Sequence, residues 1–121
     1  MIAEGMIIRG NSVLMVKERV DRGDIVWNFP GGSSNENETP EQACIREVKE
    51  ETGYDVRITD LLCKRGERYT YLAEIVGGEC LPAQDIIEIA WVSFDDGERF
   101  DAVTEPIRNR YLDQHKLLRN R

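Results

Sequence analysis

The stretch from Gly32 to Tyr54, GSSNENETPEQACIREVKEETGY, constrains this chain more than any other. It predicts a helix that begins after Thr39-Pro40 and stops by Gly53, with Thr39 and Gln42 at capping-box spacing and Pro40 in the first turn. At roughly 100° per residue, Glu47, Glu50 and Glu51 fall at i, i+3 and i+4 and share one face. Cys44, Ile45, Val48 and Thr52 form a separate apolar arc, so the helix is expected to pack on a core and carry its acids beside it. Ala43, one turn ahead of Glu47, is read as leaving room for an ion and a substrate. Glu47 and Glu51 are like charges one turn apart, a repulsive pair on an isolated helix, and a positive partner is expected. Carboxylate oxygens with no His or Cys beside them suit a hard ion, Mg²⁺ or Mn²⁺.

The spacing of Gly32, Glu38, Arg46, Glu47, Glu50, Glu51 and Gly53 matches, position for position, the pattern G-x5-E-x7-R-E-U-x-E-E-x-G-U, where U is a bulky aliphatic residue. That pattern is the Nudix box, and the chain resembles the Nudix hydrolase family. Val48 fills the first U position; Tyr54 at the last is the one departure, and it is still bulky and largely apolar. The resemblance implies an α/β fold, a Nudix-type α/β/α sandwich with a mixed β-sheet. It implies metal-dependent hydrolysis of the diphosphate linkage in a nucleoside di- or triphosphate derivative. Compact size and a MutT-like tail (Trp91-Val92-Ser93, then Glu105-Pro106-Ile107) favour a nucleoside triphosphate pyrophosphohydrolase releasing monophosphate and pyrophosphate. The alternatives are a dinucleoside polyphosphate hydrolase and a non-catalytic, nucleotide-binding regulatory domain.

Carried onto this sequence, the resemblance makes Glu47, Glu50 and Glu51 the carboxylate ligands of Mg²⁺ (or Mn²⁺) and Gly32 a backbone ligand. Glu50, Glu47 and Arg46 become the catalytic candidates, with Glu50 preferred as proton acceptor and Glu88 or a loop acid as its rival. Glu38 and Arg46 are expected to pair when the loop before the helix folds back, orienting the carboxylates. Tyr69 and Tyr71 lie where dinucleoside polyphosphate hydrolases carry a tyrosine, and with Glu88 they are the candidate substrate contacts.

The remainder sets the frame. At 121 residues the chain is expected to be a single domain, 1–121. A net charge of −7 argues against a nucleic-acid polymer as partner, because that affinity comes from Lys and Arg; a small nucleotide remains compatible if a metal ion mediates. No apolar run approaches the length of a membrane span, and a cytoplasmic setting is the default. The three cysteines, Cys44, Cys63 and Cys80, have no CxxC spacing and read as buried free thiols.

Met6-Ile7-Ile8 and Val13 to Val16 read as strands buried on both faces and joined at Gly10-Asn11; as edge strands they would offer a surface for a homodimer. Val20 to Asp24 is a polar loop. Ile25 to Pro30 is a short strand, with Trp27 and Phe29 more suited to a core than to stacking on a base. Gly31-Gly32 is read as conformational freedom and close backbone approach. Asp55 to Lys64, Arg68 to Val76 and Glu88 to Phe94 read as strands, with one face of the middle one turned to the active-site side. A last helix runs from Thr104-Glu105-Pro106 through Leu118, packing by Ile107, Tyr111 and Leu118.

Overall fold

The computed structural model describes residues 1–115. Seven strands and two helices follow in the order β1 (Ile2–Arg9), β2 (Ser12–Arg19), β3 (Ile25–Asn28), β4 (Gly31–Ser33), α1 (Pro40–Thr52), β5 (Tyr54–Arg65), β6 (Arg68–Gly78), β7 (Ile86–Ser93) and α2 (Glu105–Gln114). The strands run β3-β2-β1-β6-β5, with β4 also paired to β1 and β7 to β2. Among the described residues only β1 and β6 pair in parallel, and the other pairings are antiparallel. The sheet is therefore mixed, as expected.

Alternation along the strands separates two cores. Ala3, Ile7, Leu14, Tyr71 and Ala73 pack with Ala43, Cys44 and Val48 of α1. Met6, Val13, Met15 and Val92 face the opposite way and pack with Phe94, Phe100 and Ile107 of α2. Leu62 and Cys63 are neighbours yet both belong to this second core, which a register shift between Leu61 and Cys63 permits. Helix, sheet and helix form three layers. Among the described residues no helix is long and apolar enough to cross a membrane.

β1 and β2 are buried on both faces, as their apolar runs predict. They are not edges, however: β1 lies against β2, β4 and β6, and β2 against β1, β3 and β7. Their backbones are already paired, so the argument for a homodimer through residues 6–16 does not hold. Cys44 and Cys63 are buried free thiols, but Cys80 is exposed, because it sits past the end of β6 in the loop that precedes β7. Leu118 lies outside the described residues.

Candidate active site

α1 begins and ends where its sequence dictates. Thr39 caps it, its Oγ1 accepting from the Gln42 N–H at 3.1 Å while Gln42 Oε1 accepts from the Thr39 N–H at 3.0 Å. Gly53 ends it at φ 84°, the left-handed conformation that favours glycine. The buried face is Ala43, Cys44, Val48 and Thr52. Ile45, expected inside, is exposed, and Ala43, expected to border open space, is wholly buried. This rotates the buried arc toward the acids, and at roughly 100° per residue Glu51 falls between Ala43 and Cys44. The acids therefore differ: the Glu50 side chain is 58% exposed and that of Glu47 18%, whereas Glu51 is driven against β4.

That position explains the chemistry of Glu51. Its Oε1 accepts from the Gly31 N–H at 2.8 Å. Burial pushes its carboxyl up to about 8, the Gly31 hydrogen bond opposes the rise, and the charges of Glu18, Glu47 and Asp85 add to it. Glu18 is raised as well, first by burial and then by Asp85 and Glu47. Glu18 on β2 and Asp85 in the loop before β7 thus belong to the same field, and the sequence reading singled out neither. Asp85 is the loop acid beside the carboxylates, while Glu88 is an exposed residue of β7 opposite Lys17. The sequence signal available for Glu18 was its place at the end of a buried strand; that for Asp85 was only its charge.

Arg46 gathers the rest. Its Nε and Nη2 make a side-on fork with Glu38 at 2.8 and 3.0 Å, as the loop-to-helix pairing predicts. Nη1 donates to Glu47 at 2.8 Å and to Glu50 at 3.2 Å, and Nη2 reaches the Ser33 carbonyl at 3.0 Å. Glu38 is the foremost cause of the raised guanidinium pKa. The positive partner expected for the acidic face is therefore, in this structure, Arg46 of the same helix.

Gly31 and Gly32 matter for space. Neither has a positive φ. A Cβ on Gly32 would lie 2.6 Å from the Glu47 carboxyl carbon, and one on Gly31 would lie 2.5 Å from Glu4 Cα and against the Ala3 carbonyl oxygen. The Gly32 backbone and the Glu47 carboxylate are thus in contact.

Among the described residues no three His, Cys, Asp or Glu side chains converge on one point as they stand, since Glu47 and Glu50 turn to Arg46 and Glu51 to Gly31. The donor set nonetheless fits a hard divalent ion. It is all oxygen, it brings the Gly32 main chain against Glu47, and it buries a carboxyl that holds its proton to about 8 under the charges around it.

A cleft adjoins this cluster. One compartment of about 340 Å³ is lined by Gly31, Gly32, Glu18 and Arg68. A second of about 370 Å³ shares Val20, Asp21, Asn28 and Arg68 with it and extends to Val26, Asp101 and Val103. The Val20–Asp24 loop forms part of the wall. On β6 the face turned to the cleft is that of Arg68, not that of the tyrosines. Tyr69 and Tyr71 pack on the α1 side, stacked on one another, and the Tyr71 hydroxyl bonds Glu41. Alternation in β6 puts the tyrosines opposite Arg68, Thr70 and Leu72, so the structure does not bring them to the carboxylates.

The model of the NUDIX domain matches residues 2–113. An 8-oxo-dGTP diphosphatase of Proteus vulgaris is 41% identical over 63 residues, 50% of this chain and 56% of that protein. An ADP-ribose pyrophosphatase of Methanocaldococcus jannaschii is 30% identical over 119 residues, 90% of this chain and 70% of that one. The chain spans from 22% to 56% of the length of five curated relatives that match it at 31% to 41% identity. In fold, a NUDIX hydrolase from Nitrosomonas europaea superposes with a TM-score of 0.79 at 22% identity, covering 93% of this chain and 88% of that one.

Proposed function

The chain belongs to the Nudix family, and from that premise we propose that it hydrolyses the diphosphate linkage of a nucleoside triphosphate, releasing monophosphate and pyrophosphate. The observation that carries the reading is the Arg46 network, which ties Glu38, Glu47, Glu50 and the Ser33 carbonyl into one frame beside the cleft. An acidic, oxygen-only site next to a cleft with apolar and polar walls suits a phosphate-rich small molecule rather than a polymer.

Glu47, Glu50, Glu51 and the Gly32 carbonyl would hold Mg²⁺ or Mn²⁺. Such an ion, when bound, neutralises charge on the diphosphate and lowers the pKa of a coordinated water. The chain's own part is orientation and proton transfer. Glu38 fixes the guanidinium of Arg46 from one side, and Arg46 fixes Glu47 and Glu50 from the other. Glu50 is the most exposed of the three acids and stands where a water can reach it, so it is assigned as the general base, with Asp85 as the alternative acceptor. Glu51, anchored to the Gly31 N–H, is held too firmly to shuttle a proton. Glu47 bears on the Gly32 backbone, which keeps β4 and α1 in register at the site.

The test is product analysis with Mg²⁺ and a panel of nucleoside triphosphates, 8-oxo-dGTP, diadenosine tetraphosphate and ADP-ribose. Monophosphate and pyrophosphate should appear from a triphosphate, and Glu50→Gln should lower the rate by about 10²- to 10⁴-fold. Cleavage of ADP-ribose alone would replace the triphosphate reading with the activity that names the Methanocaldococcus relative. Cleavage of diadenosine tetraphosphate alone would favour the dinucleoside polyphosphate reading instead.

A further inference from the structure

Glu4 has no part in the hydrolysis described above, yet it is 1% exposed in the middle of β1. A carboxylate is costly there unless it is paired and hydrogen-bonded. Its Oε1 accepts from Arg68 Nη2 at 2.6 Å, and its Oε2 from Arg68 Nε at 3.1 Å and Thr70 Oγ1 at 2.6 Å. Such a side-on fork uses Nε and one Nη2 hydrogen. The end-on edge of the guanidinium, Nη1 with the second Nη2 hydrogen, remains for another acceptor.

Arg68 keeps 27% of its side chain exposed and lines both compartments of the cleft, at their junction. The first compartment reaches Gly31 and Gly32, the diphosphate end. The second is walled by Val20, Val26 and Val103 and by Asp101. Asp101 is anchored in its turn: its Oδ1 accepts from the N–H groups of Val103 and Thr104 at 2.9 and 3.0 Å, and its charge acts on Arg68. The second compartment thus offers apolar walls to a flat ring, a donor edge fixed from behind, and an anchored acceptor.

We propose that Arg68 is the base-recognition residue of this cleft, held side-on by Glu4, which Thr70 in turn anchors, so that its end-on edge faces the base and selects guanine over adenine. The proposal rests on the nucleotide reading above. Guanine presents O6 and N7 as adjacent acceptors, the pair that an arginine fork reads, whereas adenine places an amino donor where O6 would be. Asp101 complements this by accepting from the ring N–H and amino groups of guanine. Glu4 and Thr70 are positioning residues, acting through Arg68.

The experiment is titration calorimetry of the whole chain with GDP and with ADP in millimolar Mg²⁺. GDP should bind more tightly by about 5- to 100-fold, the discrimination expected of one bidentate base contact. Arg68→Gln should bring the GDP-to-ADP ratio close to one, and Glu4→Gln, which keeps the shape and removes the charge that orients Arg68, should move it the same way. Since Glu4 is buried, the double variant Glu4→Met with Arg68→Leu guards against misfolding, because exchanging both members of a buried pair for apolar residues tends to preserve stability; it too should lose the preference. Equal binding of GDP and ADP by the unaltered protein, or a loss of both in equal proportion in the variants, overturns the proposal. Turnover separates the two readings: a preference for GDP without hydrolysis of any nucleotide sinks the hydrolase, and equal hydrolysis of GTP and ATP sinks the base assignment alone.

Discussion

Replacing Gly31 and Gly32 by alanine, one at a time, separates what the glycine pair does for the fold from what it does for the site. On Gly31 the added Cβ would stand 2.5 Å from Glu4 Cα and 2.6 Å from Glu4 Cβ. Those atoms belong to β1, which is paired on several sides and cannot retreat. Overpacking against backbone falls at the upper end of the usual range, about 3 kcal/mol. At about 4 °C per kcal/mol for a chain of this size, the midpoint should drop by about 12 °C. On Gly32 the Cβ would meet Glu47 Cδ and Oε2 at 2.6 Å, the end of a side chain that can turn away. The expected cost is about 1 kcal/mol of rotamer strain, or about 4 °C. Turning Glu47 breaks its 2.8 Å contact with Arg46, and a misplacement of about 1 Å in such a site costs about 10²-fold in rate. Thermal melts without metal and initial rates with saturating Mg²⁺ measure the two effects. A Gly32→Ala protein that melts as low as Gly31→Ala and turns over at the original rate would refute the reasoning.

Three further outcomes are expected. Glu38→Gln should fold normally but release Arg46 from its fork, lowering kcat about tenfold, and Arg46→Lys should do more because an ammonium cannot span Glu38, Glu47 and Glu50 together; unchanged rates in both would remove Arg46 from the site. Glu51 has a folded-state pKa of about 8 against an ordinary 4.5, so between those values the native state holds a proton that the unfolded chain has lost, and stability falls as pH rises. A divalent ion takes that proton's place, so the midpoint gain from Mg²⁺ should be larger at pH 9 than at pH 6, and equal gains would count against Glu51 as a ligand. Finally, burial and the charges of Glu4 and Glu41 push the Cys44 thiol up to about 12, Cys63 is buried, and Cys80 is exposed. Iodoacetamide should add once to the native protein and three times in denaturant, as intact mass would show, and a rapid second native adduct would contradict the packing of α1.

The helix was legible because its signals are local: Thr39, Pro40, Gln42 and Gly53 act within a turn of their own positions, and the structure uses each as read. The Glu38–Arg46 pair was legible because box spacing joins two residues only eight apart. What failed was whatever depends on distant segments. Ile45 and Ala43 exchanged their expected environments because β1 and β5, not the helix, decide which arc is covered. The tyrosines of β6 have a clear alternation, but alternation gives two faces without saying which meets α1. Glu4 is more than sixty residues from Arg68 and Thr70 and meets them only through the parallel pairing of β1 with β6, a contact that no local period encodes. Glu18 and Asp85 meet through another distant contact, the antiparallel pairing of β2 with β7, which sets Glu18 opposite Ile86.

β4 shows why the two arginine networks belong to one design. It is three residues long, two of them glycine, and it separates the face of α1 that carries Glu47 and Glu51 from the cleft that carries Glu4 and Arg68. Any side chain on Gly31 would push β4 from β1, and any on Gly32 would turn the Glu47 carboxylate aside. With neither present the wall between the carboxylates and the cleft is a bare backbone, and its Gly31 N–H serves the acidic side directly. On each side of that wall a carboxylate clamps an arginine through Nε and Nη2, Glu38 on Arg46 and Glu4 on Arg68. In a chain of net charge −7, the nucleotide proposed above would need cationic groups that do not wander to the many other acids. Fixing each guanidinium along one edge leaves its other edge for a single purpose, the Glu47 and Glu50 carboxylates in one case and the cleft in the other.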